Sequence, residues 1–199
     1  MRVVLATGNP GKLREFAQLL APLGLEFIAQ SELAIDPAEE TGDSFAANAI
    51  LKARHASACA GLPAMADDSG LEVDALGGAP GVQSARYAGE HGNDAANTAR
   101  LLAELRARGI AFGAATTRAR FRCVIALVRN ADDPVPLLAS GAWEGYITDT
   151  PRGAGGFGYD PVFVDMTAGR TAAELAPNEK HARSHRGQAL RALLAMGPL

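Results

Sequence analysis

Cysteine is scarce in this chain. Cys59 and Cys123 are the only two, far apart, and neither has a C-x-x-C partner. That excludes a disulfide framework and a cysteine-based zinc site; both are expected to be reduced core residues. Tryptophan occurs once and aromatics make up only 6%. Neither charge sign dominates: 19 Lys and Arg against 22 Asp and Glu give a net charge of −3. A chain so balanced does not coat nucleic acid or an anionic membrane through bulk charge. No run of 18 apolar residues is present, so no membrane-spanning helix is expected. The first residues, Met1 to Ala6, lack the long apolar core of a secretion signal, so the expected location is the cytoplasm. His55, His91 and His181 show no zinc-ligand spacing. There is no internal repeat, heptad pattern or low-complexity tail.

What is present is enough apolar residue, 48% of 199, for one domain over residues 1–199 that buries about 70% of its unfolded surface. Val3 to Ala6 reads as a buried strand. Leu13, Phe16, Ala17, Leu20 and Leu23 then form a helical stripe over Gly11 to Leu23, closed by Gly24. Leu25 to Ala29 reads as a second strand, and Ser31 to Asp43 as a polar loop carrying Glu39 and Glu40. Ser44 to Ala60 is expected to be a helix stopped by Gly61. Pro63 to Ala66 and Leu71 to Leu76 read as two short strands flanking Asp67-Asp68-Ser69-Gly70. Asn93 to Arg108 is a helix capped by Asn93 or Asp94. Arg120 to Val128 and Val135 to Ile147, joined by a turn at Asn130 to Pro134, read as a β-hairpin. Val162 to Val164 is a last strand. Thr171 to Glu174 fits a capping box, and Ser184 to Met196 reads as the final helix. Parallel βα units followed by a hairpin imply an α/β fold on a mixed sheet.

Four segments carry chemistry. Thr7-Gly8-Asn9-Pro10-Gly11-Lys12 lies between a strand and a helix, where free N–H groups and a lysine make a phosphate cradle; the glycine spacing is not that of a P-loop. Asp67-Asp68 places adjacent carboxylates at a strand end, which calls for a compensating cation, and such hard oxygen donors suit Mg²⁺. Gly155 to Pro161 sets Phe157 and Tyr159 among glycines, a stacking shelf for a planar ligand. Lys180, His185 and Arg186 form a late basic stretch able to meet phosphate or a carbonyl-bearing base. Together these are the requirements of a Mg²⁺–nucleotide.

The motifs T-G-N-P-G-K (Thr7–Lys12), D-D-S-G-L (Asp67–Leu71), L-G-G-A-P-G-V-Q-S-A-R-Y (Leu76–Tyr87), G-G-F-G-Y-D-P (Gly155–Pro161) and S-H-R-G-Q-A-L (Ser184–Leu190) occur in order along nearly the whole chain. They resemble the inosine triphosphate pyrophosphatase family, the XTP/dITP diphosphatases that remove deaminated purine nucleotides. The resemblance implies an elongated α/β fold: a mixed β-sheet flanked by helices, with two lobes around a central nucleotide-binding cleft, in a homodimer. It implies Mg²⁺-dependent hydrolysis of ITP, dITP or XTP to monophosphate and pyrophosphate. Thr7, Gly8, Asn9, Pro10, Gly11 and Lys12 would then bind the triphosphate. Asp68 would be proton acceptor and metal ligand, with Glu40, or else its neighbour Glu39, as the second carboxylate. Ser69, Phe157, Gly158, Tyr159, Asp160, Lys180, His185 and Arg186 would contact substrate, and Lys52 would add a phosphate contact. A related diphosphatase with a different base choice and a non-catalytic binding module stand as the rival readings. No nucleic-acid or membrane partner is implied.

Overall fold

The computed structural model describes residues 2–20 and 26–197. The expected helix end at Leu23 and Gly24 and the expected strand start at Leu25 lie outside those residues. The elements run β1 (Arg2–Leu5), α1 (Pro10–Leu20), β2 (Glu26–Ala29), α2 (Phe45–Ala60), β3 (Ala64–Val73), α3 (Asp94–Ala107), β4 (Arg118–Val128), β5 (Leu137–Ile147), β6 (Phe163–Asp165), α4 (Pro177–Arg183) and α5 (His185–Leu194). The strands form a six-stranded sheet in the order β2-β1-β3-β4-β5-β6. β1 pairs in parallel with β2 and β3, and β5 pairs antiparallel with β6. The sheet is therefore mixed, as the pattern of elements predicts. β4 and β5 are sheet neighbours, consistent with the expected hairpin.

The chain divides into two compact units. Unit 1 is Met1–Asp68, Cys123–Gly141 and Arg186–Leu199; unit 2 is Ser69–Arg122 and Ala142–His185.

In unit 1 the strand period of two sorts the core onto two faces. Val3, Leu5, Met65, Cys123, Ile125 and Leu127 pack with Phe16 and Leu20 of α1 and Ala189, Leu190 and Leu193 of α5. The alternate residues, Val4, Ala6, Ala64, Ala66, Ala126 and Val128, pack against Ala49, Ala53 and Ala56 of α2. α2 starts where Ser44 accepts the Ala47 N–H and ends at Gly61 in the left-handed region, φ +64°, the two signals the sequence carries. In unit 2 a separate core gathers Leu71, Val73, Leu101, Leu105, Phe121, Trp143, Tyr159 and Phe163. The Asn93 side chain accepts the Ala96 N–H and so caps α3.

Two expectations need correction, and one helix is additional to those expected. The two short strands around Asp67-Asp68-Ser69-Gly70 are one ten-residue strand, β3; charge and glycine break the apolar run in sequence, but partners on other elements compensate the carboxylates. The expected final helix, Ser184 to Met196, is α5 (His185–Leu194), and a short helix that the sequence reading did not include, α4, precedes it. Ser184, with φ −61° and ψ 150°, interrupts the path between α4 and α5, and the Thr171–Glu174 capping box opens only a 3-10 turn, Ala172–Glu174. Cys123 is buried as expected, but Cys59 is exposed; both are free.

Candidate functional site

Asp67 and Asp68 are consecutive residues of β3, so their side chains leave opposite faces of the sheet. Each meets its own partners within unit 1.

Asp67 lies on the Met65 face and is 1% exposed. Its Oδ2 accepts from Arg186 Nε at 3.2 Å and Nη2 at 3.1 Å, and lies 3.0 Å from Lys12 Nζ. Arg186, also 1% exposed, donates its Nη1 to Glu15 of α1. Full desolvation pushes the Asp67 carboxyl up, but Lys12 and Arg186, with a smaller share from Lys52, more than offset it; the net shift is well below the usual carboxylate range. Desolvation likewise opposes the Arg186 cation, and the Asp67 and Glu15 carboxylates more than restore it. Among the described residues Asp67 Oδ1 is buried without a hydrogen-bond partner.

Asp68 lies on the Ala66 face, toward α2. Its Oδ1 accepts from Lys52 Nζ at 2.8 Å and its Oδ2 from Asn48 Nδ2 at 3.2 Å. Asn48 and Lys52 are four residues apart and share a face of α2. Lys52 Nζ also donates to Glu40 Oε1 at 2.7 Å. Of the two loop glutamates it is thus Glu40 that is brought to Asp68. Burial pushes the Asp68 carboxyl above its ordinary value despite the opposing pull of Lys52. Burial also opposes the charge on Lys52, but Asp68, Asp67 and Glu40 raise its pKa overall.

The Thr7–Lys12 segment differs from a cradle of free N–H groups. Asn9 Oδ1 accepts from Gly11 N at 2.8 Å and Lys12 N at 3.1 Å, and Thr7 Oγ1 accepts from Asn9 N at 3.2 Å. Asn9 therefore caps α1 with its own side chain, and what the segment offers most plainly is the Lys12 ammonium.

Unit 2 holds the other expected residues. Asp160 is buried and accepts from Lys180 Nζ at 2.7 Å and Phe157 N at 2.8 Å. Lys180 Nζ sits 5.0 Å from the centre of the Phe157 ring, within cation–π range. Gly156 has φ +75°, and a Cβ there would fall 2.0 Å from Asp160 Oδ2; only glycine lets the loop wrap this carboxylate. Gly158 N donates to Asp94 at 2.7 Å. Tyr159 departs from the expected stacking shelf: it is a core residue whose hydroxyl donates to the Ser84 carbonyl at 2.9 Å. Phe157 is half-buried and is the aromatic still able to stack. His185 stacks on Phe121, with centroids 4.9 Å apart and planes 14° apart. Ser69 is half-buried on β3.

Sequence reasoning passed over Glu15 and Asn48. Each is a polar residue on a helix face that otherwise packs, a signal that was present: Glu15 adjoins Phe16 in α1, and Asn48 adjoins Ala49 and precedes Lys52 by one turn.

The residues present fit a hard divalent cation. Glu40 and Asp68, on one face of the sheet, both direct an oxygen at one point of positive charge, the Lys52 ammonium. Among the described residues no group of three or more His, Cys, Asp or Glu could hold a metal.

The sequence profile of the Ham1 family matches residues 3–196. The chain is 56% identical to the dITP/XTP pyrophosphatase of Pectobacterium atrosepticum, over 97% of this chain and 96% of that protein. It is equally similar to the dITP/XTP pyrophosphatase of Escherichia coli O157:H7, with the same coverage. Among solved structures, a HAM1 protein from Coxiella burnetii superposes with a TM-score of 0.89 at 50% identity, covering 98% of each chain. This chain belongs to the Ham1 family.

Proposed function

We propose that the chain is a dITP/XTP pyrophosphatase: a hydrolase that cleaves non-standard purine nucleoside triphosphates, dITP, ITP and XTP, to monophosphate and pyrophosphate. Residues 1–199 act as a single catalytic domain, in a cytoplasmic homodimer that clears these nucleotides from the pool. The observation that carries the reading is the convergence of Glu40 and Asp68, at 2.7 and 2.8 Å, on the Lys52 ammonium. Strong likeness to proteins named dITP/XTP pyrophosphatase supports it.

In this reading Thr7, Gly8, Asn9, Pro10, Gly11, Lys12 and Lys52 bind the triphosphate. Lys12 and Lys52 are partly buried ammoniums, 14% and 13% exposed in their side chains, where charge acts with little screening. Glu40 and Asp68 would hold Mg²⁺, which, when bound, neutralises phosphate charge and polarises the scissile group. Asp68 takes the proton of the attacking water. The water oxygen bonds to the α-phosphorus, the bond from that phosphorus to the bridging oxygen breaks, and pyrophosphate leaves with the electron pair. Phe157 stacks on the purine. Gly158, Tyr159, Asp160 and Ser69 shape its surroundings, and Lys180 contacts substrate beside the Phe157 ring. His185 supplies a donor for the 6-oxo group, next in the chain to Arg186, whose guanidinium is held by Asp67 and Glu15. Adenine presents an amino donor at that position, and two facing donors leave each other unpaired.

The test is hydrolysis of dITP, XTP, ITP, GTP and ATP in ¹⁸O-water. Pyrophosphate and ¹⁸O-labelled monophosphate are expected, with ITP strongly preferred over ATP and turnover abolished by EDTA. Diphosphate plus single phosphate as products would overturn the reaction. Full turnover in EDTA would remove the metal. Preference for a standard nucleotide would favour a diphosphatase of different base choice.

A further inference from the structure

Asn48 is fully buried, and both ends of its amide are engaged within unit 1. Oδ1 accepts from the Gly42 N–H at 2.8 Å, and Nδ2 donates to Asp68 Oδ2 at 3.2 Å. These partners leave the amide one orientation, since a backbone N–H only donates and an ionised carboxylate only accepts. Gly42 is shaped for this contact. A Cβ there would lie 2.6 Å from Asn48 Oδ1 and 2.9 Å from the Ala47 Cβ, so any other residue would push the loop off the amide. Gly42 stands two residues after Glu40, whose carboxylate meets the same lysine as Asp68.

We infer that Asn48 is a positioning residue for the hydrolysis: its side chain holds the Asp68 carboxylate in one orientation while pinning the Glu40 loop to the N-terminal turn of α2. This rests on the proposed pyrophosphatase reading and adds a residue to it. Lys52 also links the two carboxylates, but through a flexible four-carbon stem and a rotatable ammonium. The short planar amide of Asn48 adds a direction that a lysine cannot enforce. The role is geometric, so it bears on turnover more than on substrate capture.

Two substitutions separate the halves of the amide. Asn48→Asp keeps the acceptor for Gly42 and loses the donor to Asp68; Asn48→Ala loses both. The expected result for Asn48→Asp with dITP is a kcat about 10²-fold below wild type, the order of loss for a small misplacement of reacting groups. KM should stay within about 3-fold of wild type. Calorimetric affinity for α,β-imido-dITP, which is not cleaved at the scissile bond, should hold to the same degree. In the free protein, exchange protection of the Gly42 amide should survive in Asn48→Asp and vanish in Asn48→Ala. Should the new buried charge unfold Asn48→Asp, the neutral Asn48→Ala carries the same kinetic test. An unchanged kcat in folded protein overturns the proposal, as does a loss confined to KM and analogue affinity. A wild-type protein inert toward both dITP and XTP overturns the functional reading itself, and this proposal with it.

Discussion

Arg186→Met is the perturbation for which the structure fixes the magnitude best. The guanidinium is buried and bonds Asp67 through two nitrogens and Glu15 through a third. Methionine fills similar volume without charge, so the loss is electrostatic rather than a cavity. Two carboxylates then remain in the interior; Asp67 keeps Lys12, while Glu15 loses the guanidinium. Removing one partner of a buried ion pair costs about 3–5 kcal/mol. For a chain of this length each kcal/mol lowers Tm by about 2–4 °C, so thermal unfolding of Arg186→Met should fall about 6–20 °C below wild type. The loss should be pH-dependent. The wild-type Asp67 carboxyl sits below its ordinary value, mainly because Lys12 and Arg186 outweigh its desolvation. Its stabilising contribution is therefore present above about pH 4, the unfolded value, and is lost as pH falls through the depressed one. Below about pH 4 the gap between variant and wild type should narrow, because a protonated carboxyl no longer needs the guanidinium. Adding Glu15→Gln to the variant should restore part of the loss at neutral pH. A Tm within about 2 °C of wild type would refute this account of the network.

Two further outcomes follow from other parts of the molecule. Asp68→Asn keeps shape and removes basicity, so kcat for pyrophosphate release should fall by at least about 10²-fold, the low end for a general base, while far-ultraviolet dichroism is retained; near-normal turnover would assign the proton elsewhere. Burial, and donation of its hydroxyl to Glu104, push the Tyr87 phenol up to about 12. Tyr87 should therefore stay neutral past pH 10 in absorbance titration at 295 nm. It should also withdraw stability as pH rises from about 10, the unfolded value, through 12; ionisation of every tyrosine near pH 10 in folded protein would contradict this.

Local signals carried much of the fold. Ser44 and Gly61 delimit α2, the apolar stripe marks α1, and alternation marks β4 and β5, because caps and periodicity act over a few residues. The short helix α4 was less legible. Pro177 suits the first turn of a helix, but the run from there to Arg183 is basic and polar without a strong stripe. Tyr159 also reads ambiguously, since an aromatic among glycines is as able to fill a core as to line a shelf; its bond to the Ser84 carbonyl decides for the core.

The Asp67-Asp68 pair shows most clearly where a sequence motif and a physical site part company. Adjacent carboxylates invite a reading as one two-oxygen ligand for a cation. In a strand, however, adjacency guarantees opposite faces, and the partners come from segments far away in sequence: Arg186 is 119 residues from Asp67, and Lys52 is 16 from Asp68. One aspartate gathers Lys12 and Arg186 beside α1, while the other meets Lys52, Asn48 and, through Lys52, Glu40 beside α2. The motif therefore encodes two tasks rather than one doubled ligand. Asp67 holds cations in place, and the pair of carboxylates suited to a metal is Asp68 with Glu40, residues that are not neighbours in the chain at all.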